Sequence, residues 1–198
     1  METLNETRSL PAPRTDGDLA LEATLARRRT IRELAPDPLS DDEIGQLLWA
    51  AQGVTHDEVR RTAPSASSLF PLEVYAVTAV GVAHYRPEQH ALEPVSGADV
   101  RPALRAATGD QPFVAGAPLI VVISGVSARL APRHGPERAT RYAAFEAGHA
   151  GQNLLLQAVA LGLGAVPIGS FNDAEVSVLL DLPEGEEPLY LFAIGRPR

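Results

Sequence analysis

The feature that most constrains the fold is a long helical pattern near the carboxyl end of the sequence. Residues 137–163 are dense in alanine and leucine and are followed by Gly164, a residue that suits the C-cap position of a helix. Because the pattern is nearly apolar on all sides, we expect this helix at the centre of the fold or across a subunit contact. The other elements of the 198-residue chain must be arranged around it.

Three polar residues share one side of this predicted helix. Glu146, His149 and Asn153 are spaced at i, i+3 and i+7, and Gln152 is adjacent. Such a stripe is either catalytic or a set of polar groups satisfied at a helix contact. The structural interpretation is favoured, because buried polar groups most often pair with one another or with backbone.

The remaining pattern predicts an α+β fold. A continuous apolar run at residues 118–124 is typical of a central strand buried on both faces. Strands and helices mix without a regular βαβ repeat, so we predict a mixed sheet flanked by helices rather than a doubly wound sheet. The predicted strands are residues 72–82, 91–95, 118–124 and 189–194, and the predicted shorter helices are 19–31, 41–52, 99–107 and one capped by Asn172 or Asp173.

The domain organisation is expected to be simple. Residues 1–17 predict a flexible N-terminal segment and residues 18–198 a single domain. The residues after Met1 are acidic and polar, so we expect no export signal, and no apolar run approaches the roughly 18 residues of a membrane-spanning helix. The chain lacks cysteine, which fits a reducing compartment, and we expect a cytoplasmic protein with no membrane partner.

The basic residues narrow the chemistry further. All 17 are arginine, so the chain has no lysine for a Walker-type phosphate loop or a Schiff base. Without cysteine it can make no thiolate nucleophile, disulfide or iron–sulfur cluster. The net charge of -8 argues against sequence-independent nucleic-acid binding. The five histidines show no paired metal spacing, so no metal site is expected.

Two segments are candidates for ligand binding. Arg27 to Arg32 form a local cluster of arginines around Thr30 that could bind a dianion, although a solvated helix end is the favoured interpretation on spacing alone. Residues 64–68 are small and rich in hydroxyl groups. That loop either lets a ligand approach the backbone closely or is a plain surface loop, and composition does not separate the two.

Taken in order along the chain, these motifs resemble the nitroreductase superfamily of FMN-dependent oxidoreductases. The resemblance covers about residues 20–197 and is carried by four segments: residues 28–32, 64–68, 146–154 and 160–169. Within the superfamily the chain is most similar to SagB-type dehydrogenases, which oxidise thiazolines and oxazolines in ribosomal peptides. That similarity lies in residues 63–75 and 146–156 and in the ending Gly195-Arg196-Pro197.

The resemblance implies an α+β nitroreductase-like fold whose long helix lies at a dimer interface, with FMN between two subunits. The family's arginine–hydroxyl–arginine element falls on Arg28, Arg29, Thr30 and Arg32, which would hold the FMN phosphate, ribityl chain and pyrimidine edge. Arg196 is the candidate to complete the phosphate site. The loop that would contact FMN from the second subunit comprises Pro64, Ser65, Ser67 and Ser68. The segment that would pack on the flavin and offer an N–H to N5 comprises Pro167, Ile168, Gly169 and Ser170.

The implied activity is hydride transfer at flavin N5, with NAD(P)H as electron donor and a small molecule or peptide as substrate. Azoline dehydrogenases carry a Lys-Tyr pair before the long helix, and Arg133-His134 stand in its place. His134 can act as a base near neutral pH and is the candidate catalytic residue. Two alternatives stay open: a non-catalytic flavin-fold subunit of a peptide-modifying complex, and a flavin-fragmenting enzyme.

Overall fold

The fold is built on one seven-stranded sheet. The computed structural model describes residues 6–55 and 60–198. Its strands are β1 (Arg8–Ser9), β2 (Leu72–Thr78), β3 (Gly81–Arg86), β4 (Ala91–Ser96), β5 (Leu119–Gly125), β6 (Gly164–Ile168) and β7 (Glu187–Gly195). They lie in the order β1-β4-β3-β2-β5-β7-β6, and each named strand runs antiparallel to its neighbours. The predicted α+β class is confirmed.

Helices cover both faces of this sheet. They are α1 (Leu21–Arg27), α2 (Asp41–Gln52), α3 (Arg101–Ala107), α4 (Pro112–Gly116), α5 (Ala131–His134), α6 (Pro136–Ala160) and α7 (Asp173–Leu179). One apolar core lies between the sheet and α2 and α6. The second lies between the opposite face and α3, α4 and α7. Within the two described ranges, no helix is long and apolar enough to span a membrane.

Several predicted elements are confirmed because their local signals are strong. The Ser40 hydroxyl accepts the Glu43 N–H while the Glu43 carboxylate accepts the Ser40 N–H, and α2 begins at Asp41 as predicted. Asn172 caps α7 by accepting the Glu175 N–H. All seven residues of β5 are buried, which matches the prediction of a central strand.

The long helix is confirmed, but its end was predicted wrongly. Helix α6 stops at Ala160, and the left-handed residue that follows it is Gly162 (φ 71°), not Gly164. Gly164 instead begins β6. Only one side of α6 is buried in the subunit, and the opposite side carries Phe145, whose exposed fraction is 57%.

The predicted strand at residues 72–82 is two strands joined by a tight turn. Strand β2 ends at Thr78, and β3 begins at Gly81, where φ is 137° and a Cβ would lie 2.1 Å from the Ser96 carbonyl oxygen. Only glycine fits there. Val80 lies in the turn and is 38% exposed. Because it is apolar and β-branched, the sequence pattern continues through the turn as if the strand did. The short helices α4 and α5 were also missed, because neither is long enough to show a helical period.

The N-terminal segment, predicted to be flexible over residues 1–17, is partly docked on the sheet. Strand β1 pairs with Ala91 and Leu92 of β4, and Leu10 is buried. His90 connects this segment to the core, since Nε2 lies 2.8 Å from the Pro11 carbonyl oxygen and Nδ1 lies 2.8 Å from the Tyr85 hydroxyl. A strand of two residues is too short to show the alternation of apolar and polar residues from which strands are predicted.

Acidification is expected to weaken this attachment. Burial lowers the pKa of His90, although its hydrogen bond to Pro11 opposes the shift. The unfolded chain therefore takes up the His90 proton at a higher pH than the folded protein does. Stability from His90 is complete above the unfolded pKa of about 6.5 and falls as the pH drops towards the lower folded pKa.

Urea unfolding at about pH 7.5 and about pH 5.5 checks this expectation. The wild-type chain should lose more stability between the two pH values than the His90→Gln variant, which has no imidazole to protonate. An equal loss in both proteins would show that other groups carry the pH dependence.

Candidate functional site

One half of the predicted site lies along the open edge of the sheet, on β6. The Ile31 N–H donates to the Ala165 carbonyl oxygen at 3.2 Å, so the backbone polar groups of Ala165 face away from β7. Residues two apart in a strand share that orientation. Pro167, which has no N–H, therefore costs the sheet no hydrogen bond. Gly169 is the first residue after β6, two positions beyond Pro167.

Arginines stand at one end of this edge. Helix α1 ends at Arg27, Arg28 is its C-cap residue, and Thr30 forms a bridge with Ala165. Over the described residues, Arg27, Arg28 and Arg29 take part in no ion pair. Exposed Gly169 and Ser170 stand at the other end, about 13 Å away along the strand. The exposed edge of β6 thus has arginines at one end and the small residues Gly169 and Ser170 at the other.

The second half of the site is a strained loop before β2. Ser67 (φ 57°), Ser68 (φ 54°) and Phe70 (φ 44°) all have left-handed backbone conformations. None is glycine, so each conformation costs on the order of 1–3 kcal/mol and persists only where surrounding contacts hold it. We call residues 64–70 the serine loop.

Four hydrogen-bonding contacts that involve side chains hold the serine loop, in addition to two backbone hydrogen bonds within it. Glu146 Oε1 of α6 accepts the Ala66 N–H at 2.8 Å. The Ser65 hydroxyl accepts the Phe70 N–H at 2.8 Å, and Arg129 donates to the Phe70 carbonyl oxygen at 2.9 Å. The Ser67 hydroxyl lies 3.2 Å from His134 Nε2. The structure thus brings the predicted catalytic histidine against the predicted flavin loop.

Arg129 also links the loop to a buried polar group of the sheet. It forms an ion pair with Glu73, whose other carboxylate oxygen lies 2.7 Å from His84 Nε2. Burial alone would raise the pKa of Glu73, but the hydrogen bonds from His84 and Arg129 outweigh it and lower the pKa. Glu73 is therefore a fixed negative charge that orients Arg129.

The polar stripe on α6 divides between two kinds of contact. Glu146 is buried, and desolvation raises its pKa although the Ala66 N–H, the Ser65 side chain and His149 oppose the rise. Asn153 donates to the Thr62 carbonyl oxygen at 3.2 Å, just before the serine loop. His149 is exposed. Two residues of the stripe thus satisfy backbone, as the structural interpretation predicted, and both do so around the loop.

The two halves lie at the same end of the sheet but not side by side. Leu72, which follows the serine loop, pairs with Gly125 of β5, and Gly125 pairs with Glu187 of β7. Ile168 ends β6 opposite Leu191, at the level of Val122 and Tyr75, three residues inward from Leu72. Strands β5 and β7 stand between β2 and β6, so the halves are about 14 Å apart across the sheet.

Arg32 and Arg196 differ from the other predicted arginines in their surroundings. Arg32 is exposed and lines a shallow pocket with Pro112, Phe113 and Arg198. The Arg196 guanidinium contacts both carboxylate oxygens of Glu43 at 2.8 and 3.0 Å, and it donates to the Pro38 carbonyl oxygen. Their predicted contacts with FMN stay predictions, and Arg196 already has a partner.

Sequence reasoning missed Arg129, Glu73 and His84 as residues around the site. Glu73 and His84 lie on adjacent antiparallel strands, and Arg129 follows the next strand over. Their proximity depends on the pairing of β2 with both β3 and β5, which no local pattern reports. The alternation in β2 could have placed Glu73 on one face, but not its partners.

The arrangement suits FMN better than a metal ion. In the part of the chain that the structure describes, no group of three or more histidine, aspartate or glutamate residues could hold a metal. For FMN, the unpaired Arg28 and Arg29 suit a phosphate. The outward backbone of β6 and the small Gly169 leave room for a flat ring beside the strand.

Comparison with known proteins places this fold in a class of oxidoreductases. The Nitroreductase family model matches residues 25–196, so most of the chain is covered. A nitroreductase-family protein of Methanocaldococcus jannaschii, MJ1384, is 37% identical over 185 residues, which span 90% of this chain and 92% of that protein. The chain belongs to the nitroreductase family.

Solved structures agree with this assignment. A nitroreductase-family protein of Ralstonia eutropha JMP134 has a TM-score of 0.90 and 34% identity, covering 100% of this chain and 92% of that one. The NADPH:FMN oxidoreductase of Vibrio harveyi, solved with NAD+, has a TM-score of 0.67 and 25% identity, covering 89% and 68%. The Escherichia coli microcin synthetase McbBCD complex shares the fold, with a TM-score of 0.77 and 23% identity over 95% and 76%.

Proposed function

We propose that this protein is an FMN-dependent oxidoreductase that exchanges hydride at flavin N5 and takes electrons from NAD(P)H. The observation that carries the proposal is the open edge of β6, with Arg28 and Thr30 at one end and Gly169 and Ser170 at the other. FMN needs a cationic site for its phosphate and close backbone for its ring. The Vibrio harveyi relative, an NADPH:FMN oxidoreductase, supports the same choice of cofactor and donor.

Within this proposal each residue has one task. Arg28, Arg29 and Thr30 hold the phosphate end, and Arg32 is assigned to the pyrimidine edge. Pro167, Ile168, Gly169 and Ser170 form the surface beneath the ring, where the Gly169 N–H is free to donate. When bound, FMN accepts and returns the hydride, while the chain supplies position and charge.

We further propose a homodimer in which the serine loop of one subunit completes the site of the other. The separation of the two halves by β5 and β7 supports it. So do the exposed apolar side chains of Phe145 on α6 and Leu21 and Leu25 on α1, which are 57%, 60% and 51% exposed. Such side chains on neighbouring helices suit burial against a second copy.

His134 is assigned the role of general acid and base. Its Nε2 lies 3.2 Å from the Ser67 hydroxyl. If the serine loop contacts the flavin of the partner subunit, His134 lies close to that flavin as well. A neutral imidazole can accept a proton at Nε2, and an imidazolium can return it there. This contact also favours a second candidate function, SagB-type azoline oxidation, because that reaction must remove a proton together with the hydride.

The absence of cysteine supports a cytoplasmic location for either activity.

Flavin binding tests the proposal directly. The purified protein, saturated with FMN and desalted, should be yellow and release FMN on denaturation. Arg28→Ala and Arg32→Ala should each weaken FMN binding by about tenfold or more, because each removes a charge-assisted contact. Arg141→Ala is the matched control, since the one ion pair of Arg141 within residues 6–55 and 60–198 is with exposed Glu137. A colourless wild-type protein that FMN does not protect against heating would contradict the proposal.

Steady-state turnover then separates the candidate reactions. The FMN-loaded protein is assayed with NADH or NADPH against nitroaromatics and quinones, and separately with azoline peptides and oxygen. Reduction by NAD(P)H supports the proposed function, and peptide oxidation supports the second candidate. Tight FMN binding without any turnover indicates a non-catalytic subunit, and oxygen-dependent loss of the flavin spectrum indicates flavin fragmentation.

A further inference from the structure

The serine loop has a strained backbone conformation. Left-handed conformations occur at Ser67, Ser68 and Phe70, although none of these residues is glycine. Three hydrogen bonds form inside the loop: the Ser65 hydroxyl accepts the Phe70 N–H, the Ser68 N–H donates to the Ser65 carbonyl oxygen, and the Leu69 N–H donates to the Ala66 carbonyl oxygen. Contacts from outside the loop add to them, as strained backbone requires support from its surroundings.

Two charged side chains supply those contacts from opposite sides. Glu146, on α6, accepts the Ala66 N–H at 2.8 Å and is only 4% exposed. Arg129, just after β5, donates to the Phe70 carbonyl oxygen at 2.9 Å, and its ion pair with Glu73 fixes its direction. We call Glu146 and Arg129 the anchors of the loop. They bond to the Ala66 N–H and the Phe70 carbonyl oxygen, which lie on either side of Ser67.

Burial of the Glu146 carboxylate is costly, so its presence needs an explanation. Glu146 lies in an apolar helix face beside Ala143, Ala147 and Ala150, all of them buried. An apolar side chain of similar size would fill this face without the cost of desolvating a carboxylate. A carboxylate at this position therefore points to a demand made by the loop rather than by the core.

We propose that Glu146 and Arg129 are positioning residues that hold the serine loop in the shape required to complete the FMN site of the partner subunit. This inference rests on the proposed function. The anchors act through the loop backbone and touch no flavin themselves. Contacts that fix the loop reduce the cost of ordering it when FMN binds.

Substitution of Glu146 separates positioning from folding. Glu146→Leu should weaken FMN binding by about tenfold, the factor expected for one buried hydrogen bond, without lowering the unfolding temperature of the FMN-free protein. Glu146→Gln should restore most of the affinity, because the amide oxygen still accepts the Ala66 N–H. Gln157→Leu is the matched control, since Gln157 lies on the same helix and, among the described residues, its side chain bonds to Gln46 alone. Arg129→Ala should reproduce the Glu146→Leu effect, whereas Arg141→Ala should not.

Mixed dimers test whether the anchors act on the partner's flavin. Glu146→Leu and Arg28→Ala chains, carrying different tags, are coexpressed and the mixed dimer is isolated. One of its two sites then contains both defects and the other contains neither, so the mixed dimer should retain roughly half of the wild-type flavin. The inference is overturned if wild-type protein binds FMN and Glu146→Leu binds it equally well, or if the mixed dimer binds no more than its parents. A wild-type protein that binds no FMN contradicts the proposed function instead.

Discussion

Replacing His134 by glutamine should lower kcat by about 100-fold while FMN stays bound. Glutamine keeps a polar group near Ser67, which lies 3.2 Å from the histidine Nε2, but it cannot gain or lose a proton near neutral pH. General acid–base catalysis is worth about 10²–10⁴-fold, and we place His134 at the lower end because its side chain is only half buried. The measurement is steady-state turnover over a range of pH.

The same measurement distinguishes a proton-transfer role from loop support. Loss of the low-pH or high-pH limb of the rate profile in His134→Gln indicates that the imidazole titrates during catalysis. Tyr142→Phe is a suitable control, because Tyr142 contacts His134 through its ring, at 5.1 Å between centroids, and the substitution keeps that ring. Unchanged kcat in His134→Gln would remove the histidine from the reaction.

The largest effect on stability is expected from a single methyl group at Gly151. A Cβ at that position would lie 2.5 Å from Cζ of Phe192, whose ring is fully buried between α6 and the sheet. Neither the helix nor the ring can move without disturbing the core. Overpacking of this kind costs about 1–3 kcal/mol, so Gly151→Ala should lower the free energy of unfolding by that amount despite the helix propensity of alanine.

A double-mutant cycle identifies the clash as the cause. Phe192→Leu alone should destabilise the protein, because it leaves a cavity beneath α6. Combined with Gly151→Ala, it should cost less than the sum of the two single changes, because the added methyl then occupies the vacated space. Additive losses in urea unfolding would show that Gly151 is required for another reason.

The elements most accessible to sequence reasoning were those with local causes. The capping box at Ser40 and the apolar run of β5 placed α2 and the central strand correctly. The error at the end of α6 arose because two glycines stand two residues apart, and only φ tells which of them terminates the helix. The docking of β1 escaped prediction because a two-residue strand owes its place to Leu10 and His90 rather than to its own sequence.

For the candidate site, the sequence motifs located both segments, but not the contacts that shape them. Arg28 and Thr30 lie beside β6, and the loop predicted to approach a ligand carries the strained serines. The anchors Glu146 and Arg129 reach the loop from sequence distances of 80 and 59 residues. Such contacts follow from strand order and helix packing, which a single sequence does not display.

The separation of the two halves of the site by β5 and β7 has a thermodynamic consequence. If FMN binds only where two chains meet, its binding and the association of the chains are linked equilibria. Dilution of the protein would release cofactor without any change in FMN concentration, and added FMN would hold the chains together at concentrations where they otherwise separate. The apparent affinity for FMN then depends on the protein concentration and is not a property of one chain alone.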